Sequence, residues 1–274
     1  ESITLQAFGA SDITNGSSTT TAANATSFIE GDLDTSGNLV VRVNSGLELK
    51  SGSSKISAGY QEFAVTGSFY NYRDLFAHNI KMAAMNIVNQ ATIEVGSKLV
   101  IYSDKNLINH FGGRLLGDTV VLQSDSGFVR NGSRTPYLNN VETEGLLNYY
   151  SDDLKLTNLE TSELGTFYHP DINVNLVGSY VQPVDTSSHI SARVLTVKAK
   201  AFENINPYWE QVPESGEVGL ARNLSTQITI TAQEKMVVEA KGTSLKPGYI
   251  LNSSAIIQVS NGTGSLALNS DYVI

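Results

Sequence analysis

Apolar residues recur at every second position in short bursts: Leu39, Val41 and Val43; Leu47 and Leu49; Ile93 and Val95; Leu99 and Ile101; Ile172, Val174 and Leu176; Ile228 and Ile230; Ile257 and Val259; Leu266 and Leu268. A period of two puts alternate side chains on opposite faces of a strand, and the bursts lack both the length and the 3.6-residue spacing of helices. Between them lie clusters such as Asn44-Ser45-Gly46, Ser51-Gly52-Ser53-Ser54, Asp125-Ser126-Gly127, Asn131-Gly132-Ser133 and Asn261-Gly262-Thr263-Gly264, residue types that supply turn conformations. The chain therefore reads as strand, turn, strand, turn, and predicts an all-β protein.

The bursts also repeat. Leu99-Val100-Ile101-Tyr102-Ser103-Asp104, followed by Leu107-Ile108-Asn109, aligns with Val120-Val121-Leu122-Gln123-Ser124-Asp125, followed by Phe128-Val129-Arg130, at an offset of 21 residues. Ile87-Val88-Asn89 precedes Leu107-Ile108-Asn109 by 20. A strand of three to five residues buries nothing by itself, but successive coils stacked about 4.8 Å apart pair each backbone with both neighbours and close an apolar column. The expectation is a right-handed parallel β-helix of about 20 residues per coil, roughly 13 coils for 274 residues. Asn recurs after the apolar pair at Asn89, Asn109 and Asn252. It either forms a side-chain ladder at the turns or, more plainly, tolerates left-handed backbone there.

Two stretches depart from the period. Tyr60, Phe63, Phe69, Tyr70, Tyr72 and Phe76 crowd residues 60–78, and residues 134–190 carry Pro136, Pro170 and Pro183 with Tyr149-Tyr150 and Phe167-Tyr168-His169. Both are expected to project longer loops. The chain divides accordingly: one elongated unit over 1–274, with regular coils over 1–133 interrupted at 60–78, an irregular part over 134–190, and resumed coils over 191–274.

Composition narrows the partners. Charged residues make up 16% of the chain, against about 25% in an average soluble domain. The formal charge of −9 gives no electrostatic footprint for a phosphate backbone, so no nucleic-acid partner is expected. There are no cysteines, which removes disulfide scaffolds, thiolate zinc sites and cysteine catalysis. No apolar run reaches the roughly 18 residues of a membrane-spanning helix. The opening Glu1-Ser2-Ile3-Thr4-Leu5 has neither an initiator Met nor a basic leader, and the chain reads as a segment of something larger.

Catalytic signals are weak. His78, His110, His169 and His189 stand singly, without zinc-site spacing, and Gly-x-Ser-x-Gly and P-loop strings are absent. No cofactor or metal is expected. Asp104 and Asp125 occupy equivalent positions in consecutive coils and would stack about 5 Å apart, as a carbohydrate lyase or hydrolase on a β-helix would require. Their Ser-Asp context favours turns in which Asp bonds its own backbone. Glu142, Glu144, Asp152 and Asp153 read as solvated charges. Binding has the better warrant, because Tyr and Trp give contact area at low entropic cost. The candidates are Tyr70, Tyr72, Tyr149, Tyr150, Tyr168, Tyr208 and Trp209, each weighed against a role in covering the apolar column.

The coils from Leu99 to Ser133, the run Val194 to Trp209 ending Asn204-Ile205-Asn206-Pro207-Tyr208-Trp209, and Tyr249-Ile250-Leu251-Asn252-Ser253-Ser254 resemble the filamentous haemagglutinin group of two-partner secreted proteins. They are most similar to the contact-dependent growth-inhibition effectors. The resemblance implies a secreted filament displayed on the bacterial cell surface and exported by an outer-membrane secretion partner. It also implies noncatalytic recognition of a receptor on a target bacterium, an outer-membrane protein or lipopolysaccharide, before toxin delivery. A purely structural stalk and a carbohydrate-active β-helix enzyme are the alternatives. The group shares no receptor-contact motif that transfers to these residues.

Overall fold

In the computed structural model, which describes residues 2–7, 26–50, 56–133, 187–206, 228–253 and 255–273, every regular element is a strand. The long strands are β1 (Ile3–Ala7), β3 (Leu33–Val43), β5 (Ile56–Val65), β7 (Leu75–Ala84), β9 (Thr92–Ser103), β11 (Arg114–Ser124), β13 (Ser188–Ala199) and β15 (Ile228–Ala240). With β17 (Ile256–Val259) and β18 (Ser265–Ser270) they stack in that order as one parallel sheet, β17 and β18 both lying on β15. The short strands β2 (Thr26–Ile29), β4 (Gly46–Leu49), β6 (Ser68–Asn71), β8 (Asn86–Asn89), β10 (Leu107–Asn109), β12 (Phe128–Gly132), β14 (Ala201–Ile205), β16 (Tyr249–Ser253) and β19 (Tyr272–Val273) form a second parallel sheet. Chain order alternates between the sheets and each strand pairs with the equivalent strand one coil on. The protein is a parallel β-helix.

Most long strands bend. Register shifts lie between Thr35 and Asn38, Ala77 and Asn79, Leu116 and Thr119, and Ala192 and Val194. In β9 three consecutive residues that are not buried, Gly96, Ser97 and Lys98, separate inward Val95 from inward Leu99. A bulge of this kind turns a strand, so a coil has two sides from its long strand and a third from its short one.

Inside, equivalent residues line up in columns. Leu39, Gln61, Ile80, Leu99, Val120, Leu195 and Met236 are stacked partners in the first sheet, and Leu47, Phe69, Ile87, Leu107, Val129, Phe202 and Ile250 in the second, all buried. Full burial of such an apolar side chain contributes roughly 1.5–3 kcal/mol, and this repeated term holds the rod together in the absence of disulfides. Gln61 is the polar exception in its column. Its amide nitrogen donates to the carbonyls of Ile56 (3.2 Å) and Phe76 (2.9 Å), and its Oε1 has no partner.

Several expectations change. Leu99 stacks on Val120 and Ile87 on Leu107, at the offsets read from the sequence, but Leu107 stacks on Val129 rather than Phe128. The corner between Ser124 and Val129 holds one residue more than the corner between Ser103 and Leu107, and a one-residue slip exchanges the inner and outer faces. Residues 60–78 do not interrupt the coils. They form the end of β5, all of β6 and the start of β7 in the common register, because Phe63 and Phe69 point inward and pack ring against ring at 5.3 Å. The described strands make nine rungs, not 13, since β11 pairs directly with β13 and β13 with β15 across residues 134–186 and 207–227. At 4.8 Å per rung the described rod is about 40 Å long.

Candidate functional site

The corrected register exposes a polar column inside the apolar one. Asn71, Asn89, Asn109, Asn131, Asn204 and Asn252 occupy the same inward position of six consecutive short strands. Each side-chain amide donates to the Oδ1 of the next: Asn71 to Asn89 at 2.7 Å, Asn89 to Asn109 at 2.8 Å, Asn109 to Asn131 at 2.9 Å, Asn131 to Asn204 at 2.9 Å, and Asn204 to Asn252 at 2.8 Å. The second amide proton serves a corner carbonyl, as in Asn89 to Ala91 (2.7 Å) and Asn109 to Gly113 (3.0 Å). One end of the ladder is closed by the Arg73 backbone N–H donating to Asn71 Oδ1 (3.3 Å). Arg73 is itself buried and donates through its guanidinium to the carbonyls of Gly31 and Glu30, each at 2.5 Å. The plainer reading of these asparagines fails, since Phe111 is the only described residue other than glycine with positive φ.

The ladder runs through the corner that carries the chain's two longest departures from the repeat. In one rung this corner is crossed by four residues, 110–113, between β10 and β11. In the next two rungs the same corner holds residues 133–187, between β12 and β13, and 206–227, between β14 and β15. Their roots are fixed. Gly132 adopts φ 89°, the Ser133 N–H donates to the Ile205 carbonyl (3.2 Å), and the Asn206 N–H donates to Ser253 (3.0 Å). Residues 134–186 contain eight acidic and two basic residues, and 207–227 three and one, so these segments hold −6 and −2 of the total charge of −9. Tyr149, Tyr150, Tyr168, Tyr208 and Trp209 lie in them, outside the described residues, as do Ile172, Val174, Leu176, His169, Glu142, Glu144, Asp152 and Asp153.

Tyr70 and Tyr72 are described. Tyr70 points outward from β6, directly beside Glu48 of β4, which in turn neighbours Phe28 of β2. Tyr72 follows at the corner, and its hydroxyl is pushed up to about 12 by burial, with the negative charge of Glu48 and nearby Tyr70 adding to the effect. Lys50 Nζ lies 4.4 Å from the centre of the Phe28 ring and 2.6 Å from Glu30 Oε1. Phe28 and Glu48 carry no sequence signal of their own; only the register that places them in one row with Tyr70 brings them forward.

Further along the same outer face, side chains that point away from the core are nonetheless buried: Val88, Ile108, Arg130 and Glu203. Arg130 Nε donates to Glu203 Oε2 at 2.5 Å, the Tyr249 hydroxyl donates to Glu203 Oε1 at 2.5 Å, and Arg130 lies 4.2 Å over the Phe128 ring. His110, at the adjoining corner, lies 3.1 Å from Gln90 Nε2 and is pushed down to about 3 by burial, with the Arg130 charge adding. Three neutral rings, an ion pair and an amide in this setting specify packing more than chemistry.

Asp104 and Asp125, the carboxylate pair of the enzymatic alternative, follow the stacked partners Ser103 and Ser124 on consecutive rungs, and both push the Tyr102 hydroxyl up, Asp125 through its hydrogen bond and Asp104 chiefly by its charge. The Asp104 and Asp125 backbone amides each donate to the rung before, to the carbonyls of Ala84 and Ser103 at 3.0 Å. The Asp125 carboxylate does not bond its own backbone; it accepts from the Tyr102 hydroxyl and from Gln123 (2.9 Å), which hold it below the usual carboxylate range. Among the described residues no group of three or more His, Cys, Asp or Glu is placed to hold a metal ion. His189 bonds Thr229 (2.6 Å), and Arg193 bridges Asp118 and Glu234, both at 2.7 Å, on the surface.

The fold and these sites define a β-helix with a laddered core and two adjacent excursions. Comparison with protein-family models, curated proteins and solved structures found no match.

Proposed function

We propose that this chain is a segment of a secreted bacterial surface filament of the haemagglutinin type, and that its rod presents two long excursions to a receptor on a neighbouring cell, ahead of toxin delivery. One observation carries the reading: the two largest departures from the repeat leave the same corner on adjacent rungs, where the asparagine ladder and paired backbone fix their roots. Roots held in this way lower the ordering entropy that loops lose on binding. Recognition, not catalysis, is the activity.

The charge of the excursions selects between receptor classes. The two segments together carry eight net negative charges, which oppose the phosphates of lipopolysaccharide and favour an outer-membrane protein with basic external loops. Such binding weakens with added salt.

The test is a trimmed rod in which residues 132–188 and 205–228, the spans between Asn131 and His189 and between Asn204 and Thr229, are each replaced by a copy of the four-residue corner 110–113 that joins their partners Asn109 and Arg114. The trimmed rod is expected to keep its β circular dichroism and its urea midpoint but to lose binding to target cells. The full chain is expected to lose binding to one target strain lacking a single outer-membrane protein. A folded trimmed rod that binds as well as the full chain would remove recognition from the excursions. Absence of binding by the folded full chain would leave the stalk as the function.

A further inference from the structure

The outer row of the short-strand sheet carries a second, independent surface. Phe28, Glu48 and Tyr70 are stacked partners on β2, β4 and β6, all pointing away from the core, and Phe28 is 54% exposed. Adjacent outward residues in such a row are spaced by one rung, so Phe28 and Tyr70 stand two rungs, or roughly 10 Å, apart with the Glu48 carboxylate between them. Polar groups flank the row on both sides. Lys50 and Glu30 form an ion pair beside Phe28. Ser68 and Asn86, joined by a 3.2 Å hydrogen bond, lie beside Tyr70 in the neighbouring outward row.

We propose that this row is a binding site for an extended, uncharged oligosaccharide. A pyranose offers a C–H face that packs on an aromatic ring and equatorial hydroxyls that need both donors and acceptors. Phe28 and Tyr70 supply the rings, Glu48 and Glu30 the acceptors, and Lys50 and Asn86 the donors. The two rings are separated along a straight line parallel to the rod by a distance comparable to a disaccharide, which suits a linear chain of β-linked sugars lying along the axis. Uncharged sugar fits better than uronate or sulfated sugar, because Lys50 is already neutralised by Glu30 and Glu48 adds a negative charge at the centre of the row. The site uses no residue of the two excursions and does not depend on the receptor reading.

The experiment is affinity electrophoresis of the full chain in native gels containing hydroxyethylcellulose, a soluble neutral β-1,4-glucan, with gels containing dextran as the control for a flexible α-linked polymer. The wild-type chain is expected to be retarded by the β-glucan and not by dextran. Phe28→Ala and Tyr70→Ala are each expected to weaken that retardation roughly tenfold in apparent affinity, and Tyr70→Phe to preserve it, because the ring and not the hydroxyl makes the contact. Unchanged thermal melting of the variants guards against unfolding as the cause. Absence of retardation of the wild type, equal retardation by dextran, or full retention by the folded double variant Phe28→Ala/Tyr70→Ala would each overturn the proposal.

Discussion

Replacing Asn109 with alanine tests whether the asparagine column is a cooperative element or six separate corner residues. Asn109 is fully buried, accepts from Asn89 at 2.8 Å, and donates to Asn131 at 2.9 Å and to the Gly113 carbonyl at 3.0 Å. Truncation strips the donor from Asn131 Oδ1 and from Gly113, and takes one acceptor from Asn89, whose amide keeps its bond to Ala91. A buried polar group left unsatisfied costs about 1–3 kcal/mol, and two such groups together with the lost side-chain volume give about 3–5 kcal/mol. Asn252, at the exposed end, accepts from Asn204 and donates to Ala255 at 3.0 Å. Water replaces those partners, so Asn252→Ala costs about 1 kcal/mol. Urea unfolding of the two variants, compared at equal m-value, reads the difference. Equal losses for Asn109→Ala and Asn252→Ala, or a loss below about 1 kcal/mol for Asn109→Ala, would refute the ladder as a stabilising unit.

Other outcomes follow from the same packing. A Cβ on Gly113 would lie 2.5 Å from Asn109 Oδ1 and 2.6 Å from the Asn89 carbonyl, so Gly113→Ala should lower stability by about 1–3 kcal/mol in thermal melts by wedging the ladder open. His110 titrates at about 3 in the fold against 6.5 unfolded; its folded value is depressed, so its contribution is complete above pH 6.5 and lost as pH falls toward 3. Between pH 6.5 and 4.5 that amounts to about 2 kcal/mol, and a His110→Asn variant should show a correspondingly flatter stability profile over that interval. Glu203→Ala leaves the buried Arg130 guanidinium without its carboxylate and should cost about 3–5 kcal/mol in urea unfolding. The double replacement Arg130→Met/Glu203→Leu should cost less than that single change.

Much of the architecture can be read from residue order. Alternating Leu99 and Ile101, and Val120 and Leu122, announce strands, and their 21-residue offset is the stacking seen in the structure. The second half of that coil is harder, because Phe128-Val129-Arg130 looks as good a partner for Leu107-Ile108-Asn109 as Val129-Arg130-Asn131 does. Choosing the first hides Asn131 from the ladder and turns Arg130 inward, where the structure places it outward against Glu203. Aromatic density at 60–78 likewise suggests a break, yet Phe63 and Phe69 are core residues, while Tyr60, Tyr70, Tyr72 and Phe76 stay outside the core on strands and corners in the common register.

Residue order alone determined that the chain is built of short parallel coils, because burial of every second side chain leaves a period in the sequence that needs no partner to be seen. Only the tertiary structure decided which asparagines touch, which outward rows combine Phe28 with Glu48 and Tyr70, and that both long excursions leave one corner. Those facts depend on the length of each corner, where one added residue shifts the register and reverses the faces of the strand that follows.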